Sequence, residues 1–270
     1  MASIDLEPEE LRKILLSVAS EAAAHLRDLA CSSEELSKNL GGETALIDII
    51  SEDYIIGALR EELGNIRIVT EEKGVVGEGT LTLVIDPLDG SSNYLNCIPW
   101  SSVSIAAIPT GGTTADAIAG VVAPIFWGVP LSFARGEGCF QGNTRVYCID
   151  PPSRFVFVYI DHPDAAEPVA RVIKGLGGGY KVRSLGSAAL EIAYVGLGRA
   201  SLFIDMRSKL RNVDIAAAQG IVRECGGMIV DPSGSPIEVA VDRVRRAGNM
   251  VAAPSREIAS RVIHVLHGET

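Results

Sequence analysis

Four groups of carboxylates stand where the chain enters or leaves a regular element. Glu71 and Glu72 follow the apolar run "IRIV" (66–69). Asp86 closes "LTLVID" (81–86), and Asp89 comes three residues later in "DPLDGSSN". Asp214 opens "DIAAAQGIVRECGG" (214–227), while Asp48, Glu52 and Asp53 lie in "TALIDIISEDYIIGALREEL" (44–63), the first two of them four residues apart. Two carboxylates aimed at one small region repel each other unless a cation or a proton lies between them. Each group has a plain alternative: an Asp-rich turn, a solvated Glu-Glu turn, a helix cap. Taken together they form an oxygen-rich set with few neighbouring Lys or Arg, and hard divalent cations, magnesium above all, prefer such ligands.

The residues after Asp89 suggest a use for that set. Backbone amides following Gly90, at Ser91 and Ser92, can cradle a phosphate if a helix starts there. Two metal ions beside it would polarise the phosphoryl group, lower the pKa of a bound water and stabilise the leaving alkoxide, with no covalent nucleophile. Phosphatases with an aspartyl nucleophile carry D-x-D-G-T instead. Here Pro87 and Leu88 separate the two acids, which is the wrong register for that chemistry.

These residues need elements to hold them. Leu11, Ile14, Leu15, Val18 and Ala22 have helical spacing over 8–30, and 44–63 reads as a second helix ending at Gly64. Strands are expected at 66–69 and 81–86, a hairpin from 101–109 and 116–125 around Gly111-Gly112, and a meander over 130–146. Beyond Pro151 strands and helices alternate: strand 154–160, helix 164–176, strand 180–186, helix 187–198, strand 200–206, helix 214–227, two short strands, and a last helix over 255–267. That change of texture divides the chain into subdomains 1–150 and 151–270, both α/β. The polar stretch 31–43, with Gly41-Gly42, reads as a mobile loop with Glu43 beside the paired glycines.

Composition narrows the partners. With 24 Lys and Arg against 34 Asp and Glu, the formal net charge is -10, which opposes nucleic-acid binding. No signal peptide and no 18-residue apolar run is present, so a cytoplasmic protein off the membrane is expected. The five cysteines (Cys31, Cys97, Cys139, Cys148, Cys225) contain no C-x-x-C pair, which suits reduced, buried thiols and offers no zinc set.

"DPLDGSSN" resembles the D-P-[IL]-D-G-[TS]-x-N signature of the inositol monophosphatase family of magnesium-dependent phosphatases. "VTEE" (69–72), "LGSAALEIAYVGLGRASLFID" (185–205) and "VDIAAAQGIVRECGG" (213–227) are similar to its other motifs, in the same order along almost the whole chain. The resemblance implies a layered αβαβα fold, usually a homodimer, with two to three magnesium ions (manganese as an alternative). It implies Glu71, Asp86, the Leu88 carbonyl, Asp89 and Asp214 as metal ligands. Gly90, Ser91 and Ser92 would bind the phosphate, and Ser91 with Asp53 (Asp48 as the alternative) would attend the attacking water. Ser187, Ala188 and Asp205 fall in segments that would contact substrate. Ser91 for threonine and Val213 for tryptophan are departures from the family pattern that are similar to the archaeal branch, whose members often hydrolyse both inositol monophosphate and fructose 1,6-bisphosphate.

Arg207, Lys209 and Arg211 alternate in "DMRSKLRNVD" and would share one side of an extended segment, either as a solvated basic edge or as a clamp for a second phosphate, with Arg183 as a weaker member. The expected activity is a metal-dependent phosphomonoesterase acting on inositol monophosphate, fructose 1,6-bisphosphate or both. A nucleotide phosphatase acting on 3′-phosphoadenosine 5′-phosphate and a non-catalytic phosphate-binding relative are the alternatives.

Overall fold

A computed structural model describes residues 6–30 and 46–268. The expected loop 31–43 and Glu43 lie outside the described residues. Helices α1 (Pro8–Leu29) and α2 (Leu46–Leu63) come first. Strands β1 (Arg67–Thr70), β2 (Gly74–Val76) and β3 (Leu81–Asp89) follow, then the short helix α3 (Ser91–Leu95) and strands β4 (Ser102–Pro109), β5 (Ala119–Pro124), β6 (Leu131–Ala134), β7 (Gly138–Gln141) and β8 (Thr144–Val146). These strands form one eight-stranded sheet in the order β2-β1-β3-β4-β5-β6-β7-β8. The remaining elements are β9 (Phe155–Tyr159), α4 (Pro163–Gly175), β10 (Lys181–Arg183), α5 (Ala188–Gly196), β11 (Leu202–Asp205), α6 (Asn212–Glu224), β12 (Met228–Val230), β13 (Met250–Ala253) and α7 (Arg256–Leu266). Their strands make a second sheet, β10-β9-β11-β13-β12.

Alternation along the strands shows how the layers stack, because successive side chains leave opposite faces of a sheet. Leu83, Ile85, Ile105 and Val121 pack against Leu15, Leu26, Ile55 and Leu59 of α1 and α2. The residues between them, Val84, Ala106 and Val122, face the other way, into a core with α5 and α6 that also takes in Phe157, Phe203 and Ala252 of the second sheet. Val156, Val158, Ile204 and Val251 leave the far side of that sheet and meet Val169 and Val172 of α4 and Val262 of α7. The result is five layers, αβαβα, as expected. Strand β3 is buried along its whole length because both of its faces are covered, which is why it reads as a continuous apolar run.

The middle layer packs very closely on the first sheet. The Phe133 ring of β6 lies beside Gly220 of α6, and a Cβ on Gly220 would stand 2.0 Å from it. Just beyond, Cys225 at the end of α6 is bonded to Cys139 of β7 in a disulfide. The expectation of reduced thiols is therefore corrected for these two residues and for Cys97, which is also disulfide-bonded. Cys139 and Cys225 are 86 positions apart, and only the seating of α6 against the β6–β7 hairpin brings their Cα atoms to 5.8 Å.

Candidate metal centre

The register of the first sheet brings the acids together. Parallel pairing sets Val69 beside Val84 and Thr70 beside Ile85, so the next residue on each strand, Glu71 and Asp86, are neighbours. Both have the parity of residues facing α5 and α6. Two acids three positions apart on a regular strand would point to opposite faces. Here the strand bulges: Asp86 lies opposite Ser104 and Asp89 opposite Ser102, so three steps along β3 match two along β4. The bulge, at Pro87 and Leu88, returns Asp89 to the face of Asp86. This is the physical use of the D-x-x-D spacing.

Asp214 arrives from the opposite layer, on the first turn of α6. Carboxylate atoms of Glu71, Asp86 and Asp214 lie within 4.8 Å of one another. Asp214 is the third residue of α6, not its N-cap. From there it accepts the amide of the capping residue Arg211 at 2.8 Å, so it serves the helix start and the cluster together. The Arg211 guanidinium reaches into the cluster, 2.7 Å from Glu71 and 3.3 Å from Asp214.

Burial and mutual repulsion leave these acids reluctant to ionise. Asp86 is pushed well above the usual carboxylate range, first by burial and then by the charges of Glu71, Asp89 and Asp214. Glu71 and Asp214 are raised by burial, with Arg211 pulling each back down. Asp89 is raised to about 7 by burial, opposed by a hydrogen bond from Ser187. Three converging carboxylates whose charge costs so much, met by one guanidinium, fit a hard divalent cation. The donor set is all oxygen, as magnesium requires.

Asp89 stands beside this trio, and its oxygens are directed to the start of α5. It accepts the Ala188 amide at 3.1 Å and the Ala189 amide at 2.9 Å, with a hydrogen bond from the Ser187 hydroxyl and a longer one from Ser102. The donors of Ser187 and Ala188, expected to meet substrate, are thus turned to Asp89. The Leu88 amide donates to Asp86 at 3.1 Å.

Gly90 is in the left-handed region at φ 87, and a Cβ there would lie 2.9 Å from the Gly186 carbonyl, so the D-G step needs glycine for both shape and space. Helix α3 begins at Ser91, leaving the amides of its first turn without helical acceptors. Sequence reasoning gave no role to Asn93, the only amide side chain in "DPLDGSSN". Its Nδ2 donates to the carbonyls of Trp100 (2.8 Å) and Leu185 (2.6 Å), tying this turn to the loop that starts α5.

Other expected residues fall elsewhere. Asp53 is mostly exposed and paired with Lys73, so it does not face the cluster. The reason is helical geometry: Asp48, Ser51 and Glu52 share the buried face of α2, and a residue one step beyond Glu52 turns about 100° away. Asp48, the alternative, is on the buried side. The three cations of "DMRSKLRNVD" do not line one side, because the segment is not extended: Ser208 sits at φ 53. Arg207 binds the fully buried Asp205 through its amide and guanidinium, stacks over Tyr159 and reaches Asp161 at 3.1 Å. Lys209 meets the same Asp161 at 2.7 Å, while Arg211 turns to the acids. Arg183 is exposed and lies over Phe155.

Residues 7–270 match the model of the inositol monophosphatase family. The chain belongs to that family. Among its relatives is inositol-1-monophosphatase of Aeropyrum pernix, 48% identical over 263 residues, covering 94% of this chain and 96% of that one. Fructose-1,6-bisphosphatase/inositol-1-monophosphatase of Methanothermobacter thermautotrophicus is 32% identical over 242 residues, 84% of each chain. A solved structure from Pyrococcus horikoshii, described as having similarities for inositol-1 monophosphatase, superposes with a TM-score of 0.80 at 25% identity over 95% of this chain and 98% of that one. Each acid of the trio comes from a different motif recognised in the sequence: Glu71 from "VTEE", Asp86 from "DPLDGSSN" and Asp214 from "VDIAAAQGIVRECGG". No helix among the described residues is long and apolar enough to cross a membrane.

Proposed function

We propose that this family member hydrolyses phosphate monoesters of small polyols, inositol monophosphate and fructose 1,6-bisphosphate, using magnesium ions (manganese as an alternative) held by Glu71, Asp86 and Asp214. The convergence of these three carboxylates carries the reading. Asp89 and the Leu88 carbonyl, on the same bulged turn, would complete the ligand set. The ions, when bound, supply a water of lowered pKa and a polarised phosphoryl oxygen.

The chain's own groups do the rest. The first-turn amides of α3, at Ser91 and Ser92, orient phosphate oxygens, with Gly90 allowing the backbone to approach. The Ser91 hydroxyl, with Asp48 in place of the exposed Asp53, holds the attacking water in line. Arg211, which bonds Glu71 and Asp214 here, would be free to meet substrate once those carboxylates held a cation. Lys209 is the accessible member of the second-phosphate clamp, because Arg207 is committed to Asp205. The resemblance carries a homodimer and a cytoplasmic location with this reading.

The test is phosphate release from inositol 1-phosphate, fructose 1,6-bisphosphate and 3′-phosphoadenosine 5′-phosphate, with magnesium and with chelator. Magnesium-dependent turnover of either polyol phosphate, abolished in Asp86→Asn, is the expected result. Preference for the nucleotide, or release that ignores the chelator, refutes the reading.

A further inference from the structure

The turn that presents Glu71 is organised from behind. Thr70 ends β1, Gly74 begins β2, and residues 71–73 form the tight connection between them. The backbone amides of Glu72 and Lys73 point away from any strand partner, and buried amides need acceptors. Both find one in Glu52, at 3.1 Å each, and the Thr70 hydroxyl donates to the same oxygen at 2.8 Å. Three donors flanking Glu71 on both sides thus converge on Glu52 Oε1. Glu52 is fully buried, and its other oxygen, Oε2, has no hydrogen-bond partner among the described residues.

Burying a carboxylate is costly unless hydrogen bonds or a counter-charge meet it, and here three donors do. Nothing in the packing of α2 requires an acid here; the residues around it on that face are mostly apolar, Ile47, Ile55, Ile56 and Leu59. What the acid supplies is a fixed acceptor. Its chain neighbour Ser51 acts on the other acid-bearing turn, donating to the Pro87 carbonyl at 2.8 Å, between Asp86 and Asp89. Two consecutive residues of one helix therefore hold the two turns whose acids converge. The pairing of β1 with β3 makes Glu71 and Asp86 neighbours, and this one helix holds the turns that carry them.

We propose that Glu52 is the positioning residue of the cation site: its buried carboxylate fixes the Glu71 turn relative to the Asp86 turn, and cation affinity depends on it. This rests on the reading of the trio as a metal centre. Glu52 touches neither the trio nor substrate, so it acts only through the turn. A supporting partner of this kind contributes about 10–100-fold in metal affinity when removed.

The experiment measures magnesium binding calorimetrically on the substrate-free full chain, together with hydrogen exchange at the amides of Glu72 and Lys73 under chelator. Glu52→Ala should weaken magnesium binding about tenfold or more and speed exchange at those two amides, leaving KM for substrate at saturating magnesium unchanged. Glu52→Gln keeps an acceptor oxygen in the same place, so it should restore slow exchange and bind magnesium within about threefold of wild type, a smaller loss than supporting partners usually show. If Glu52→Ala does not fold, Glu52→Gln is compared with Thr70→Val, which removes one donor only and should speed exchange at the turn. Unchanged affinity in a folded Glu52→Ala overturns the inference, as does a Glu52→Gln as defective as the alanine variant, since charge rather than position would then matter. A wild-type chain that takes up no divalent cation overturns the metal reading, and with it this inference.

Discussion

The metal-free protein should lose stability as pH rises from about 4 to about 7, opposite to the usual behaviour of paired carboxylates. In the unfolded chain Asp89 ionises near 3.8, whereas in the folded chain burial holds it to about 7. Between these values the native state binds more protons than the unfolded state, so stability falls with rising pH. The stabilising proton is fully present below the lower value and lost through the upper one. Three pH units correspond to about 4 kcal/mol for this group. Glu71, Asp86 and Asp214 are raised as well and act in the same direction. For a chain of this size each kcal/mol moves the melting temperature by about 2–4 °C, so the fall should be on the order of 10 °C. Scanning calorimetry with chelator, in steps from pH 4.5 to 7.5, measures it. Saturating magnesium should abolish or invert the slope, and Asp89→Asn should shrink it. A metal-free melting temperature that stays level or climbs over this range would refute the account of the cluster.

Three further outcomes follow from contacts already described. Arg211→Ala should cost the metal-free protein about 1–3 kcal/mol, because Glu71 and Asp214 lose their hydrogen-bonded cation, and should lower the magnesium concentration needed for half-saturation; thermal melts with chelator and a magnesium titration check both. Replacing Cys139 and Cys225 together by serine should cost about 2–5 kcal/mol, since the bridge closes a long loop; denaturant titration measures it, and an unchanged midpoint would show that the bridge adds nothing. Lys209→Ala should reduce kcat/KM for fructose 1,6-bisphosphate about tenfold, from one lost charge-assisted contact, while sparing inositol 1-phosphate. Equal losses on both substrates would assign Lys209 to structure.

The acids of the centre were legible because each sits next to its own strand or helix end, so short-range pattern sufficed. Glu71, Asp86 and Asp214 meet where those patterns place them, and the glycine of the D-G step is required by its φ of 87. The bulge that aims Asp86 and Asp89 alike was not legible, because it depends on pairing with β4. Asp53 shows a different failure. Helical spacing from the apolar residues of α2 puts Asp48 and Glu52 inside and Asp53 outside, a distinction that motif position alone does not make. The basic run misled for a third reason: alternation implies one side only on an extended chain, and the backbone turns at Ser208. The Cys139–Cys225 bridge has no local trace at all.

The close seating of α6 on Phe133 has a consequence for how this centre can change over evolutionary time. Gly220 lies six residues, roughly 9 Å of helix, from Asp214. The ring beneath it works as a shim that sets the height of the helix above the sheet carrying Asp86. A methyl group at position 220, or a smaller ring at 133, would tilt or lower α6 and so widen or narrow the gap that a cation must fill. On the proposed metal centre, a change at position 133 or 220 would therefore alter which ion sizes fit while every carboxylate of the trio stayed the same.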